Sequence, residues 1–265
     1  MPLLRLLTPR LYGPASEGGR NVRQGNLYTI VFIIITSLAA ALILSVSSAM
    51  LKERQERNAE LDVKKNILYA VNLLKKDSDP EKLYKDYIRS AVVNSEGKVL
   101  EKSVPAEKIN FERELEKKPA EREYPVFMSI NDKDGEISAY CIPIVGKGLW
   151  STLYGYLALE TDLKTIKGIS FYKHAETPGL GGEIDKPEFQ KNFHGKKIIS
   201  ESGELVSVTV LKGRTRANSP SLIHEVDGIS GATLTVNGVN KLLKNCLIIY
   251  EPFFKTLRSE TAKKG

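Results

Sequence analysis

The stretch Gly25–Leu51, GNLYTIVFIIITSLAAALILSVSSAML, contains no charged residue and is dominated by Ile, Leu, Val and Ala. Crossing the ~30 Å hydrocarbon core of a bilayer takes roughly 20 helical residues, and a helix satisfies its own backbone hydrogen bonds where water is absent. The stretch therefore predicts a transmembrane anchor over residues 26–51, preceded by a leader over residues 1–25.

A cleaved signal peptide is the competing interpretation of this stretch, because Ser47, Ser48 and Ala49 resemble a small-residue cleavage site. The apolar run is longer than the ~7–15 residues of a signal core, and the leader before it is also long. Both features favour an uncleaved anchor. Arginines precede the span and lysines and arginines follow it, so the positive-inside count gives no orientation.

The chain has 265 residues and a formal net charge of +7. Lys and Arg are interspersed with Asp and Glu in nearly every segment, which indicates a solvated mixed-sign surface rather than a nucleic-acid site. Cys141 and Cys246 lie in apolar surroundings and predict core residues, neither a disulfide framework nor a metal pair. The three histidines are scattered, so we expect no metal site.

After the anchor, residues 52–90 predict a juxtamembrane helical segment. Apolar residues recur at helical spacing from Lys52 to Lys76, and Pro80 suits the first turn of a second helix whose apolar face ends at Ile88. A charged helical stretch is expected at Pro105–Lys117. Strands are predicted at Pro125–Ile130, Glu136–Pro143, Gly155–Leu159, Ile166–Tyr172 and Leu205–Leu211.

The segment Leu234–Tyr250 has apolar residues on one helical face and predicts a helix that covers the sheet and ends at Pro252. Residues 256–265 are predicted to form a flexible tail. The expected fold class is therefore α+β: an N-terminal transmembrane helix, then a domain at residues 91–255 with a mainly antiparallel sheet and covering helices.

Two glycine-rich segments carry side chains without an obvious packing role: His174–Gly182 (HAETPGLGG) and Asp227–Thr233 (DGISGAT). In the second, Gly228 and Gly231 remove side-chain bulk, and Thr233 begins the C-terminal helix, where free N–H groups and the helix dipole favour a phosphate. An ordinary turn with Ser230 or Thr233 as helix N-cap explains the same residues. The residues alone leave both interpretations open.

The sequence Asp-Gly-Ile-Ser-Gly-Ala-Thr resembles the Asp-x-x-Ser/Thr-Gly-Ala-Thr motif at which a periplasmic flavin transferase attaches FMN to the final threonine. Glu176–Gly181 resembles the flavin-facing loop of the FMN-binding domain family, and Gly146–Trp150 followed by Tyr154–Tyr156 resembles a third signature of that family. From roughly Asn26 to Pro252 the chain is similar to the C subunit of sodium-translocating NADH:quinone reductases.

The resemblance implies FMN as a covalent phosphoester on Thr233, within the Asp227–Thr233 motif that includes Ser230, Gly231 and Ala232. Leu149, Trp150 and Leu180 are candidates for an apolar bed under the flavin ring. Thr177 and the N–H groups of Gly179, Leu180 and Gly181, next to Glu176, are candidates for hydrogen bonds to its polar edge.

Two further residues have weaker assignments. Lys212 is a candidate neighbour of the phosphate or the ring, or a solvated lysine. Asp227 is a candidate recognition residue for the transferase, or a cap of the turn.

The resemblance further implies an electron-transfer subunit that works with an iron-sulfur subunit and a second covalent-FMN subunit. Under this resemblance, the chain by itself is not expected to contain a complete active site. It also implies a single-pass protein of the bacterial inner membrane, with the N-terminus in the cytoplasm and residues 91–255 in the periplasm. Two alternatives stay open: the equivalent subunit of an ion-translocating ferredoxin oxidoreductase, and a membrane-tethered interaction module without flavin.

Overall fold

The computed structural model describes residues 26–75, 78–101, 105–131, 135–216 and 218–264. The predicted leader, residues 1–25, lies outside these ranges. The chain divides into two compact units, Met1–Arg54 and Gln55–Gly265. The helices are α1 Asn26–Ala70, α2 Pro80–Tyr87, α3 Phe111–Glu116, α4 Pro187–Gln190 and α5 Thr233–Lys264. The strands are β1 Ile88–Asn94, β2 Val99–Leu100, β3 Glu123–Ile130, β4 Ile137–Lys147, β5 Thr152–Leu159, β6 Ile166–Lys173, β7 Thr209–Val210 and β8 Glu225–Val226.

In the apolar half of helix α1, every residue from Asn26 to Leu51 is exposed, as expected for a helix that contacts lipid. In the part of the chain that the structure describes, α1 is the one helix long and apolar enough to cross a membrane. Helix α1 runs on without a break at the predicted boundary of 51 and 52 and ends at Ala70, short of the predicted Lys76. Asn72, in the left-handed region with φ 61°, follows that end.

The folded unit is organised around an antiparallel sheet that, over the described residues, has six strands in the order β2-β1-β3-β4-β5-β6. Consecutive strands from β3 to β6 are neighbours, so short connections suffice. Strand β1 begins at Ile88, three residues before the domain start expected at residue 91. Ile88 itself was predicted to lie on the apolar face of the second helix and is instead in this strand. Asp79 caps α2 by accepting hydrogen bonds from the N–H groups of Glu81 and Lys82. The helix begins at Pro80, as predicted.

Each face of the sheet packs its own apolar layer, because successive side chains in a strand point to opposite faces. On one face Val126, Ile142 and Leu157 pack with helix α5. On the other, Phe127, Cys141 and Tyr156 pack with Ile67 and Leu68 from the end of α1. Cys141 and Cys246 are both buried, which confirms their assignment to the core.

Helix α5 does not end at Pro252, so that prediction is wrong. The helix continues through Pro252 to Lys264, because the residues after the proline, Phe253 and Phe254, are buried in the core. Burial of two phenylalanines contributes several kcal/mol by area, which offsets the ~3 kcal/mol cost of an interior proline. The backbone of residues 256–264 is helical where a tail is expected.

Two other predicted elements are shorter than expected. The alternating segment Leu205–Leu211 contributes only the two-residue strand β7, because Ser207 adopts a φ of 65° and both Val206 and Ser207 donate to the carbonyl of Ile198. The stretch Pro105–Lys117 forms a short 3-10 turn at Ala106–Lys108 and helix α3, separated by Asn110, which caps α3.

Candidate functional site

Three segments that are distant in sequence meet at a small cleft of about 130 Å³. They are the turn after β4, the loop after β6 and the first turn of α5. The lining residues are Leu149, Trp150, Glu176, Thr177, Leu180, Gly181, Gly231, Ala232, Thr233, Leu234 and Thr235. The cleft thus brings together nine of the residues predicted for the site, and adds Leu234 and Thr235, which the sequence did not single out.

Thr233 is the first residue of α5 and its side chain is exposed at the cleft. The first bond of the helix runs from the N–H of Val236 to the carbonyl of Ala232, 2.9 Å. Alanine has no side-chain oxygen to cap the helix, and among the described residues no acceptor is within hydrogen-bond distance of the N–H groups of Thr233 and Leu234. These N–H groups and the helix dipole make this end of α5 suited to an anion.

Gly231 shapes the approach to this helix. Its φ is 73°, and a Cβ at this position would lie 2.7 Å from Cδ2 of Leu180. A side chain here would strain the backbone and would displace the side chain of Leu180 on the opposite wall of the cleft. The glycine therefore brings the motif and the loop after β6 into close contact.

Glu176 lies beneath the cleft with 4% of its surface exposed. Its Oε1 accepts hydrogen bonds from the N–H groups of Trp150 (2.9 Å) and Ser151 (3.2 Å). Its Oε2 accepts from the N–H of Leu149 (3.2 Å) and from the hydroxyl of Thr235 (2.6 Å). Burial opposes ionisation, but these donors outweigh it and hold the pKa of Glu176 below its ordinary value of 4.5. Glu176 therefore binds the three segments to one another.

Close packing around three glycines holds the same segments together. A Cβ on Gly148 would lie 2.6 Å from Oε1 of Glu176, and one on Gly181 would lie 2.3 Å from Oγ1 of Thr235. A Cβ on Gly238 of α5 would lie 2.5 Å from the carbonyl oxygen of Lys147. A larger residue at any of these three contacts would force the neighbouring atoms to move, since these distances are shorter than ordinary van der Waals contact.

The loop after β6 uses most of its own N–H groups. The N–H of Gly179 donates to Glu183 (3.1 Å), and the N–H of Leu180 donates to the carbonyl of Thr177 (3.2 Å). These two groups were expected to face a ligand. They instead donate hydrogen bonds within the loop. These bonds close a tight turn at Gly179, whose φ is 75°.

Four predicted residues, Gly179, Asp227, Ser230 and Lys212, do not line the cleft. Asp227 accepts hydrogen bonds at 2.7 Å from both the N–H and the hydroxyl of Thr215, and the first of these is the main cause of its lowered pKa. Asp227 therefore joins the start of the motif to the segment that contains Thr215. Ser230 and Lys212 are exposed.

The histidines serve separate local contacts. His174 faces Asp185 at 3.4 Å, and the rings of His194 and His224 each contact a backbone carbonyl. Within the described ranges, no group of three or more His, Cys, Asp or Glu side chains is arranged to hold a metal ion.

Comparison with known proteins finds a domain family that matches the site and relatives that are similar over most of the chain. The FMN-binding domain family matches residues 148–248, which include all the segments of the cleft. The C subunit of the Na(+)-translocating NADH-quinone reductase of Haemophilus ducreyi is 33% identical over 82% of this chain and 87% of its own length. The same subunit of Pasteurella multocida is 32% identical over 89% of this chain and 96% of its own length.

Solved structures agree with this relationship. The crystal structure of the corresponding C subunit from Parabacteroides distasonis is 37% identical, covers 77% of this chain and 96% of its own, and superposes with a TM-score of 0.66. NqrC of Shewanella oneidensis, at 25% identity, covers 77% of this chain and 99% of its own with a TM-score of 0.67. The fold class expected from the sequence is confirmed. The chain belongs to the family formed by the C subunits of Na(+)-translocating NADH-quinone reductases.

Proposed function

We propose that this chain is the FMN-bearing electron-transfer subunit of a sodium-translocating NADH:quinone reductase, with FMN attached through its phosphate to the hydroxyl of Thr233. The observation that carries the proposal is the exposed Thr233 at the uncapped start of α5, on a cleft formed by all three family signatures. Bound FMN would supply reversible electron transfer.

The choice of Thr233 among the neighbouring hydroxyls follows from their surroundings. Thr235 is 2% exposed and its hydroxyl donates to Glu176, so it is inaccessible to modification. Ser230 is exposed but lies outside the cleft. Thr233 combines exposure, a place in the cleft and a helix start whose first N–H groups have no acceptor among the described residues and would bind a phosphate.

The cleft is smaller than the ~300–1,000 Å³ of sites that enclose a small molecule. Leu149, Trp150 and Leu180 would therefore contact part of the ring, while the remainder stays open to a partner subunit. Such openness suits a carrier that receives and gives up electrons by contact with other proteins. The partners we propose are an iron-sulfur subunit and a second FMN subunit of the complex, with a flavin transferase acting during maturation.

The exposed apolar half of α1 would anchor the chain in the bacterial inner membrane, with the N-terminus in the cytoplasm and the FMN domain in the periplasm. This orientation comes from the family, since the charges beside the span are balanced.

The two alternative functions are less well supported. The subunit of a ferredoxin oxidoreductase has less support, because the relatives described above are subunits of the sodium-translocating enzyme. The flavin-free interaction module has less support, because an FMN-binding domain covers the whole cleft.

The proposal is tested by co-expressing the full chain with a flavin transferase and viewing the denatured protein on a gel under ultraviolet light. We expect a fluorescent band that Thr233→Ala abolishes and Thr233→Ser retains. Thr177→Ala is the matched control, because it removes the same atoms from another exposed residue of the cleft. A band that persists in Thr233→Ala refutes the attachment site. In a host without the transferase, the protein should be folded and colourless.

A further inference from the structure

We propose that Glu176 is a positioning residue: its carboxylate fixes the turn that carries Leu149 and Trp150 to the first turn of α5, so that the flavin cleft exists before FMN arrives. The inference rests on the proposed function for what the cleft binds. The contacts that carry it are independent of the flavin.

The first argument is the distribution of donors around the carboxylate. Three of the four are consecutive backbone N–H groups of residues 149–151, and the fourth is the hydroxyl of Thr235, two residues after the attachment threonine. Hydrogen bonds to an ionised carboxylate are shorter and stronger than those between neutral groups. One side chain thus joins two walls of the cleft, the turn after β4 and the first turn of α5.

The second argument is that, in the part of the chain that the structure describes, the other hydrogen bonds of the turn do not reach α5, although its backbone packs closely on Gly238 of that helix. Leu149 is 42% exposed and Trp150 is 70% exposed, so neither side chain holds the turn by burial. The turn closes on itself through the N–H of Gly148 and the carbonyl of Ser151, 2.8 Å. The hydroxyl of Ser151 also accepts from the N–H of Ala175, at 2.7 Å. Both of these bonds shape the turn, but neither reaches α5.

The third argument is that the amide of glutamine cannot replace this carboxylate. All four partners point hydrogens at the two oxygens, and glutamine would put an N–H₂ group in place of one oxygen. If the amide nitrogen took the place of Oε2, it would face the N–H of Leu149. If it took the place of Oε1, it would face the N–H groups of Trp150 and Ser151. In either case buried donors would lose their acceptor. Glu176→Gln should therefore release the turn although its size is unchanged.

The experiment uses Trp150 as its own reporter, since it is the sole tryptophan of the chain. Full-length protein is made in a transferase-free host, and the fluorescence anisotropy and acrylamide quenching of Trp150 are measured. Glu176→Gln and Thr235→Val should lower the anisotropy and increase quenching. Thr235→Ser, which keeps the hydroxyl, should behave as wild type. If Glu176→Gln does not fold, the Thr235→Val and Thr235→Ser pair carries the test.

A second readout is the yield of flavin-labelled protein after co-expression with the transferase, which should fall in Glu176→Gln and Thr235→Val and recover in Thr235→Ser. Unchanged Trp150 signals in folded Glu176→Gln and Thr235→Val would overturn the role of Glu176, even where wild type carries flavin. Altered Trp150 signals with no flavin on wild type would support that role and overturn the proposed function instead.

Discussion

Replacing Gly238 by alanine should push helix α5 away from the turn after β4. The added Cβ would lie 2.5 Å from the carbonyl oxygen of Lys147 and 3.0 Å from Cα of Gly148. Both are backbone atoms and cannot rotate away, so the helix or the turn must move by roughly 1 Å to restore ordinary contact. Overpacking of this kind costs about 1–3 kcal/mol, whereas alanine in a helix interior gains about 1 kcal/mol over glycine.

The net expectation is a loss of about 1 kcal/mol in the free energy of unfolding, which lowers the thermal midpoint by about 2–4 °C for a domain of this size. Thermal unfolding of the full chain in detergent, followed by circular dichroism, measures it. Gly213→Ala is the matched control, because a Cβ there meets no atom within 4 Å and its φ is not in the left-handed region. A midpoint for Gly238→Ala equal to or above wild type would refute the close contact between helix and turn.

Three further predictions concern buried charged or titratable groups. Burial raises the pKa of Glu176, but the hydrogen bonds that its carboxylate accepts outweigh this effect and lower the pKa below 4.5. The contribution of Glu176 to stability is therefore present above about pH 4.5 and is lost as the pH falls through the lower pKa of the folded state. Denaturant titrations at a series of pH values should show a smaller loss of stability at acid pH for Glu176→Gln than for wild type. Burial raises the pKa of Cys141 well above its ordinary value and that of Cys246 to about 12, so a thiol reagent should label neither until denaturant is added. Arg258→Ala removes the main ion-pair partner of the largely buried carboxylate of Glu251 and should destabilise the domain by about 1–3 kcal/mol in denaturant unfolding.

Each of these has a contrary outcome. An identical acid limb in Glu176→Gln would mean that the carboxylate gains nothing from its donors. Labelling of a thiol in the native protein would contradict its place in the core. Lys255→Ala is the control for Arg258→Ala, because Lys255 is exposed and 4.0 Å from Glu251, and its loss should change stability by less than about 0.5 kcal/mol. Equal effects of the two substitutions would contradict the role given to Arg258.

The sequence predicted the long apolar N-terminal helix and most strands because their signals are local. An uncharged apolar run and alternating or continuous apolar strands between turn residues need no knowledge of distant contacts. The prediction failed where distant packing decided the backbone. Nothing local indicates that burial of Phe253 and Phe254 carries α5 through Pro252, or that Ser207 interrupts the alternation after Leu205.

The site follows the same division. The motif ending in Thr233 is contiguous and could be recognised by its resemblance to a known motif. The role of Glu176 could not, because its hydrogen-bond partners lie 25 to 27 residues before it and 59 residues after it. Thr235 and Gly238 could not be predicted for the same reason. Thr235 contacts Glu176 and Gly238 packs on Lys147, and neither contact is visible in a local pattern.

The phosphoester on Thr233 is tested most directly by tandem mass spectrometry of the peptide that contains it, from protein matured in its native membrane. The account predicts that this peptide is heavier by the mass of FMN less one water, and that fragmentation assigns the addition to Thr233. An unmodified peptide, or an addition on Ser230 or Thr235, would contradict it.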